Sequence, residues 1–167
     1  MTKSYFIQLA GYNVWANNIF CSWFEKISDE QWTQEVVSSF NSIQATTLHI
    51  AGAEHIWLQR MVKEKQENHV WLPSVFTGSK DEHIALWKKT SLALKYFVES
   101  FDENNLRKNL DFKRLNGDAY SMPYYELLAH IFNHSTYHRG QLVTMLRQVG
   151  FTDVEATDML GFFRKYF

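Results

Sequence analysis

The chain has 167 residues, which fits a single domain spanning 1–167, and 46% of them are hydrophobic, enough for a core without disulfides or structural metal. A net charge of −1 argues against nucleic-acid binding by phosphate neutralisation, and Cys21, the only cysteine, excludes an intrachain disulfide or a cysteine-based zinc site. Because the sequence has neither a signal-peptide pattern nor roughly 18 uninterrupted apolar residues, we expect a soluble cytoplasmic protein that does not contact membranes.

Apolar residues recur at helical spacing along four long segments. These predicted helices run from about Ser4 to Lys26, from the cap Ser42 to about Lys65, from about Asp81 to Phe101, and from just after Ser121 to about Val149. Pro123 is predicted in the first turn of the fourth helix, where proline is tolerated, and Gly150 is predicted to end it. Four long amphipathic segments in one chain predict an all-α fold, a four-helix bundle.

The segments between and after these helices carry turn signals. Residues 66–80 are predicted to form a loop, and Asn116-Gly117 predicts a small β-hairpin before the fourth helix. Near the C-terminus, Thr152 and Glu155 match a capping box for a short helix. Its apolar residues predict either a fold-back onto the bundle or an interface, and we expect a homodimer that uses them. These residues are Phe162, Phe163, Tyr166 and Phe167.

The fourth predicted helix carries the main functional signal, three histidines spaced four residues apart in LLAHIFNHSTYHRGQLVTMLRQVG. His130, His134 and His138 project from one face, because residues four apart are neighbours on a helix. At about 1.5 Å per residue, His130 and His138 lie about 12 Å apart along the axis, too far to share one ion. Either His130 with His134 or His134 with His138 can chelate a metal, and the spacing leaves both pairs open. Gln141, one turn beyond, could reach the outer shell of the metal.

A further ligand must come from another helix, and His49 in ATTLHIAGAEHIWLQR is the best candidate. Its neighbours at helical spacing are small, and one of them, Gly52, costs roughly 1 kcal/mol in a helix interior. Open space beside a metal, or a close approach of helices, would explain that glycine. His55 points about 120° away from His49, so the two side chains cannot face the same ion.

The residues around the histidines exclude several familiar metal chemistries. HSTYH lacks the glutamate of the zinc-peptidase pattern, and neither the Glu-x-x-His of di-iron bundles nor the Cys-x-x-Cys-His of covalent haem occurs. What remains is a mononuclear three-histidine site with one position open for water or substrate. The polar side chains nearest in projection, Gln141, Tyr137 and His130, do not identify a general base. Gln141 and Trp15 are the candidates for contacts with a substrate.

Several motifs together resemble the DinB-like family of metal-dependent enzymes: LHIAGAEHIWL around His49, the string HIFNHSTYHRGQ, the early YNVWANN, and the Asn-Gly turn. The resemblance covers most of the chain. It implies a bundle of up-down-down-up topology, usually dimeric, with one divalent ion, zinc or nickel, held by a histidine triad. By position the ligands are His49, His134 and His138, and His130 becomes the extra histidine. Relatives include transferases and isomerases that use low-molecular-weight thiols.

Three functional hypotheses follow from these observations. The first is a metal-dependent enzyme of thiol-dependent S-transferase or hydrolase type, which activates a thiol or water for attack on a small-molecule substrate. The second is a non-catalytic protein that binds a metal or a small ligand, and the third is a bundle whose histidines are purely structural. An open metal position at the base of a substrate-sized cleft favours the enzyme, whereas a fourth protein ligand favours storage or structural use.

Overall fold

The computed structural model of the protein describes residues 1–62, 65, 68–114 and 116–167, and these residues are mostly helical. The helices are α1 (Lys3–Phe24), α2 (Asp29–Thr33), α3 (Ile43–Met61), α4 (Lys80–Ser100), α5 (Tyr124–Gln148) and α6 (Met159–Tyr166), with 3₁₀ turns at Leu72–Ser74 and Glu103–Asn105. Strands β1 (Asn109–Lys113) and β2 (Ala119–Pro123) lie between α4 and α5. Among the described residues, no helix is both long and apolar enough to cross a bilayer.

The helix boundaries follow local capping chemistry. Ser42 caps α3 by accepting a hydrogen bond from the backbone N–H of Ala45, as predicted. The predicted end near Lys65 is too late, because α3 ends at Met61, and residues 63 and 64 lie outside the described part of the chain. Pro123 is the last residue of β2 and precedes the first turn of α5, one position earlier than predicted.

The predicted β-hairpin and the predicted stop of the fourth helix are both present. Strands β1 and β2 pair antiparallel, from Asn109 opposite Pro123 to Lys113 opposite Ala119. Gly117 in the connection has a φ of +93°, and Gly150 after α5 has a φ of +89°. Both backbone conformations are strained for residues with a Cβ atom, so glycine chemistry determines where each element turns.

The four long helices pack against one another, with contacts between α1 and α4, α1 and α5, α3 and α4, and α3 and α5. Their buried apolar side chains form two main clusters. One joins the C-terminal parts of α1 and α5 to the N-terminal parts of α3 and α4, and includes Trp23, Ile50, Trp87 and Leu146. The other joins the opposite ends and includes Phe6, Met61, Leu94 and Leu128. Each such side chain contributes about 1.5–3 kcal/mol by leaving water.

The C-terminal helix does not begin where the sequence pattern predicted. Asp158, rather than Thr152, caps α6, and the segment before it is not helical. The hydroxyl of Tyr12 in α1 donates a hydrogen bond to the carbonyl of Thr157 at 2.9 Å. This contact attaches the end of the segment to α1, and the predicted capping box of Thr152 and Glu155 does not form.

The apolar residues of α6 are divided between the bundle and the surface. Phe162 is buried, with its ring centre 5.8 Å from that of Tyr12 and 5.5 Å from that of Trp15. Leu160 and Phe167 remain 60% and 76% exposed. The segment therefore folds back onto its own α1 and still presents apolar side chains outward, and the homodimer stays a prediction.

Gly52 allows the segment containing Trp71 and Pro73 to lie directly on α3. A Cβ atom at this position would stand 2.6 Å from Cδ of Pro73 and 3.4 Å from the ring of Trp71. Of the two reasons predicted for Gly52, close approach is the one that applies. The element that approaches α3 is the connecting segment and not one of the long helices.

We expect Gly52→Ala to lower the free energy of unfolding by about 1–3 kcal/mol, because the added methyl group must displace Pro73. Gly140→Ala in α5 is the matched control, since no described atom beyond its chain neighbours and the nearby backbone of its own helix lies within 4 Å of its Cβ position. That variant should gain about 0.5–1 kcal/mol from helix propensity. Urea denaturation measures both changes, and equal effects would contradict the close packing on α3.

Candidate metal centre

Three histidine rings from two helices converge at one point. His49 projects from α3, His134 and His138 project from α5, and one ring nitrogen of each lies within 4.8 Å of the others. The Nε2 atoms of His49 and His134 are 3.0 Å apart. Two imidazoles bound to one zinc ion at ~2.0–2.1 Å would have nitrogens about 2.9–3.4 Å apart for bond angles between a right angle and tetrahedral. The donor set and its spacing therefore fit one divalent ion.

Side chains around this cluster orient the rings. Nδ1 of His138 donates to Oε1 of Gln141 at 2.8 Å, and Nε2 of Gln141 donates to Oγ of Ser39 at 2.8 Å. This chain directs the Nε2 lone pair of His138 towards the other histidines. The ring centre of Phe40 is 4.3 Å from that of His49, so an aromatic side chain covers the cluster. Gln141 was predicted for the outer shell; Ser39 and Phe40 were not predicted.

Burial keeps the three imidazoles uncharged. Burial, together with the repulsion that a protonated His138 would exert, lowers the pKa of His49 to about 4 and that of His134 to about 3. Burial also lowers the pKa of His138, although the hydrogen bond to Gln141 opposes this shift. Neutral imidazole is the form that binds a metal, so the cluster is in the correct protonation state at neutral pH.

The other candidate residues lie outside the cluster. His130 is one turn away, with its ring centre 5.7 Å from that of His134 and 5.8 Å from that of Trp57. Its position agrees with the extra histidine implied by the family resemblance. Tyr137 is 62% exposed beside His138, and Trp15 packs against α6 and does not line the cavity described next.

A cavity of about 590 Å³ adjoins the histidines. His49, His130 and His134 line it together with Trp57 and Trp71. The remaining wall comes largely from the β-hairpin, including Phe112, Tyr120 and Met122. A small organic molecule of moderate size fits this volume, and most of the surface that it would meet is aromatic or apolar.

A buried polar network lies next to the histidines in the same helices. Glu54 of α3 is fully buried and accepts hydrogen bonds from Nδ2 of Asn13 at 2.7 Å, Nδ2 of Asn17 at 3.1 Å and Oγ of Ser91 at 2.8 Å. Arg139 of α5 is 2% exposed, and its Nη1 donates to Oδ1 of Asn13 at 2.7 Å and of Asn17 at 2.8 Å. The two asparagine amides therefore bridge a buried carboxylate and a buried guanidinium.

This network has members on all four long helices. Burial raises the pKa of Glu54, while hydrogen bonds from Asn13 and Ser91 and the charge of Arg139 oppose that shift. Burial lowers the pKa of Arg139, because in both residues it disfavours the charged form. Because each polar group is satisfied by its neighbours, α3 and α5 are fixed relative to each other, and so is the separation of the histidines that they carry.

Sequence reasoning used YNVWANN and HRGQ only as marks of resemblance, and missed the network role of Asn13, Asn17 and Arg139 in them. The sequence did contain a signal for the buried network. Two asparagines four residues apart lie on the face of α1 that is otherwise apolar, where buried amides require partners.

Comparison of the whole chain with known proteins points to one family. A family model described as the DinB family matches residues 1–164. The chain is also similar to Protein DinB of Bacillus subtilis, with 27% identity over 147 residues and 86% of each chain covered.

Solved structures with a similar fold include proteins from three bacteria. A DinB-like protein from Bacillus cereus has a TM-score of 0.69 and 20% identity, covering 90% of this chain and 95% of that chain. A DinB-like protein from Bacillus subtilis has a TM-score of 0.68 and 19% identity, and the match covers 90% of this chain and 97% of that chain. A protein from Exiguobacterium sibiricum that is described as a member of the DinB family has a TM-score of 0.68 and 14% identity, and the match covers 94% of this chain and 96% of that chain. At these identities the likeness concerns the fold.

We expect Glu54→Gln to lower the free energy of unfolding by about 3–5 kcal/mol, because it leaves the buried Arg139 without its compensating charge. The matched control is Glu99→Gln, which removes a partly exposed ion pair with Lys95 in α4 and should cost about 0.3–0.5 kcal/mol. Urea denaturation compares the two. A Glu54→Gln variant as stable as the wild type would show that Glu54 is uncharged in the native protein, which would contradict the charge pairing.

Proposed function

The chain belongs to the DinB family, and we propose that it is a divalent-metal-dependent enzyme whose ion is held by His49, His134 and His138. The observation that carries the proposal is the convergence of these three histidines at the edge of a cavity of about 590 Å³. Three protein ligands leave a coordination position open, which is the arrangement of catalytic zinc sites. Zinc and nickel are the ions that we expect, since imidazole suits both.

The bound ion would supply Lewis acidity and favour the deprotonated form of a thiol or water molecule at its open position. The chain provides the surroundings for this chemistry. Gln141 fixes the ring of His138, and Phe40 and Trp71 lie against His49 and limit access of solvent to it. The cavity wall of Trp57 and Phe112 would hold the apolar part of a substrate.

The nucleophile should come from solution. Cys21, the only cysteine, is fully buried in α1, and burial raises the pKa of its thiol to about 12. It therefore lacks both the access and the thiolate form needed for attack. This supports a reaction of thiol-dependent transferase or hydrolase type, with a low-molecular-weight thiol or water as the nucleophile and a small electrophile as the substrate.

We also propose the up-down-down-up order for the four long helices. The support is the composition of the two core clusters, in which the N-terminal parts of α1 and α5 meet the C-terminal parts of α3 and α4. The exposed apolar residues of α6 support assembly as a homodimer.

We expect one equivalent of a divalent metal per chain in protein purified without an affinity tag, and we expect His134→Ala to lose it, because His134 is central to the cluster. Elemental analysis by mass spectrometry measures the stoichiometry. His130→Ala is the matched control: it removes a histidine one turn away on the same helix that is not a member of the cluster, and should retain the metal.

A full equivalent of metal in His134→Ala would remove that residue from the site. Loss of metal in His130→Ala, or in His55→Ala on the other helix, would mean that a different set of histidines binds the ion.

We expect turnover to depend on the metal and on an added nucleophile. A screen that pairs low-molecular-weight thiols with small electrophiles should find activity that a chelator abolishes and that zinc or nickel restores. Mass spectrometry of the intact protein during turnover should show no adduct on Cys21. Activity that survives complete demetallation, or a covalent adduct on Cys21, would contradict the mechanism. Full metal occupancy without turnover for any pair would instead favour a non-catalytic metal- or ligand-binding protein.

A further inference from the structure

Arg60, in the last turn of α3, is a buried arginine that has no acidic partner among the described residues. Only 8% of the residue is exposed, yet among the described residues no carboxylate forms an ion pair with it. Its Nε atom is buried and has no hydrogen-bond partner in the part of the chain that the structure describes. Buried charges in proteins are normally paired, because an uncompensated charge that leaves water costs free energy. A negatively charged ligand would supply the missing partner.

Two aromatic rings hold this guanidinium in place. Its Cζ atom lies 4.7 Å from the ring centre of Trp57 and 5.5 Å from that of Phe112. A guanidinium that lies over an aromatic ring can still donate from its terminal N–H groups to a carboxylate or phosphate. The side chain is therefore oriented in advance for an oxyanion.

A second arginine faces the same cavity. Arg114 follows β1 and lines the cavity with Arg60, and burial, followed by the charge of Arg114, lowers the pKa of Arg60. No aspartate or glutamate occurs among the described lining residues. Asp111 lines an adjoining cavity that also includes Arg60, but it forms no ion pair with it. Because the net charge of the whole chain is −1, this positive charge is a local feature of the cavity.

The arginines and the histidines belong to one cavity. His49 and Arg60 are both on α3, and at 1.5 Å per residue their backbones are about 16 Å apart along the helix. The Arg60 side chain reaches back towards the N-terminus of α3 and over Trp57, which shortens the gap that a ligand must span. Trp57 and Trp71 line the same cavity. A ligand that fills the cavity would therefore have one end at Arg60 and the other end at the histidines.

We propose that the cavity binds a small molecule that carries a carboxylate or phosphate group, that Arg60 binds this group with the help of Arg114, and that the reactive end of the molecule lies at the histidines. The position of the reactive end rests on the proposed function. The anion site itself rests on Arg60 and its surroundings, so it can be tested separately.

The test is calorimetric titration with two probes, phenyl phosphate and benzoate, and with benzamide as a neutral analogue. The protein is used as purified and again after removal of the metal. We expect the wild type to bind at least one of the two anions more tightly than benzamide, and to bind it less tightly at high salt. Which anion binds more tightly identifies the group. Arg60→Gln should raise the Kd for that anion at least about tenfold and leave the weak binding of benzamide unchanged.

Controls separate this result from loss of folding and from binding to the metal. Circular dichroism establishes that Arg60→Gln is folded, and Arg114→Gln at an exposed position tests the same site without changing the core. Arg147→Gln, at an exposed position in the last turn of α5, removes a cation elsewhere and should not change the Kd. Anion binding should persist after demetallation and in His134→Ala.

The proposal is overturned if neither arginine variant weakens binding of the anions, if benzamide binds as tightly as they do, or if demetallation abolishes anion binding, since the anion would then be bound by the metal. Absence of metal from the purified protein, with anion binding intact, would contradict the proposed function and leave the anion site in place.

Discussion

The buried contact between Glu54 and Arg139 through two asparagine amides is the interaction on which the rest of the structure depends. An apolar core would hold four helices together in several rotations and registers of similar energy. A fully satisfied polar network disfavours the alternatives, because any slip leaves a buried charge or amide without its partner. Since Glu54 follows His49 on α3 and Arg139 follows His138 on α5, the register that satisfies the network also brings the histidines together.

Local chemistry in the sequence predicted most of the fold and part of the site. Helical spacing, the cap at Ser42 and the glycines at 117 and 150 act over a few residues, and the structure follows them. The i, i+4 histidines predicted which side chains share a face of α5. The partners of Asn13 and Asn17 could not be predicted in this way, because they lie on other helices and between 37 and 126 positions away in the chain. The capping box of Thr152 did not form, and the end of that segment is instead bound to a residue that is distant in the chain, Tyr12 in α1.

The two buried arginines show how similar side chains acquire different roles. The guanidinium of Arg139 donates to Asn13, Asn17 and Thr136, and the carboxylate of Glu54 balances its charge through the amides. Arg60 has aromatic rings around it and no carboxylate bound to it among the described residues. The charge of Arg139 is balanced within the protein, and the result is a rigid support. The charge of Arg60 is not balanced by any described residue, and because it lies beside a cavity, a ligand can supply the missing partner.

One side of the cavity is formed by the long helices of the bundle, and another side is formed by the segments that connect them. The histidines and the polar network belong to long helices whose positions are mutually fixed, whereas much of the opposite wall comes from the β-hairpin and from the Trp71–Pro73 segment seated on Gly52. Residues in connecting segments can be exchanged, lengthened or shortened with little disturbance to packed helices. Changes in these segments can therefore alter which molecules enter the cavity while the histidine cluster keeps its arrangement. For protein engineering, the hairpin and the tryptophan segment are the natural places to diversify when a new substrate is wanted.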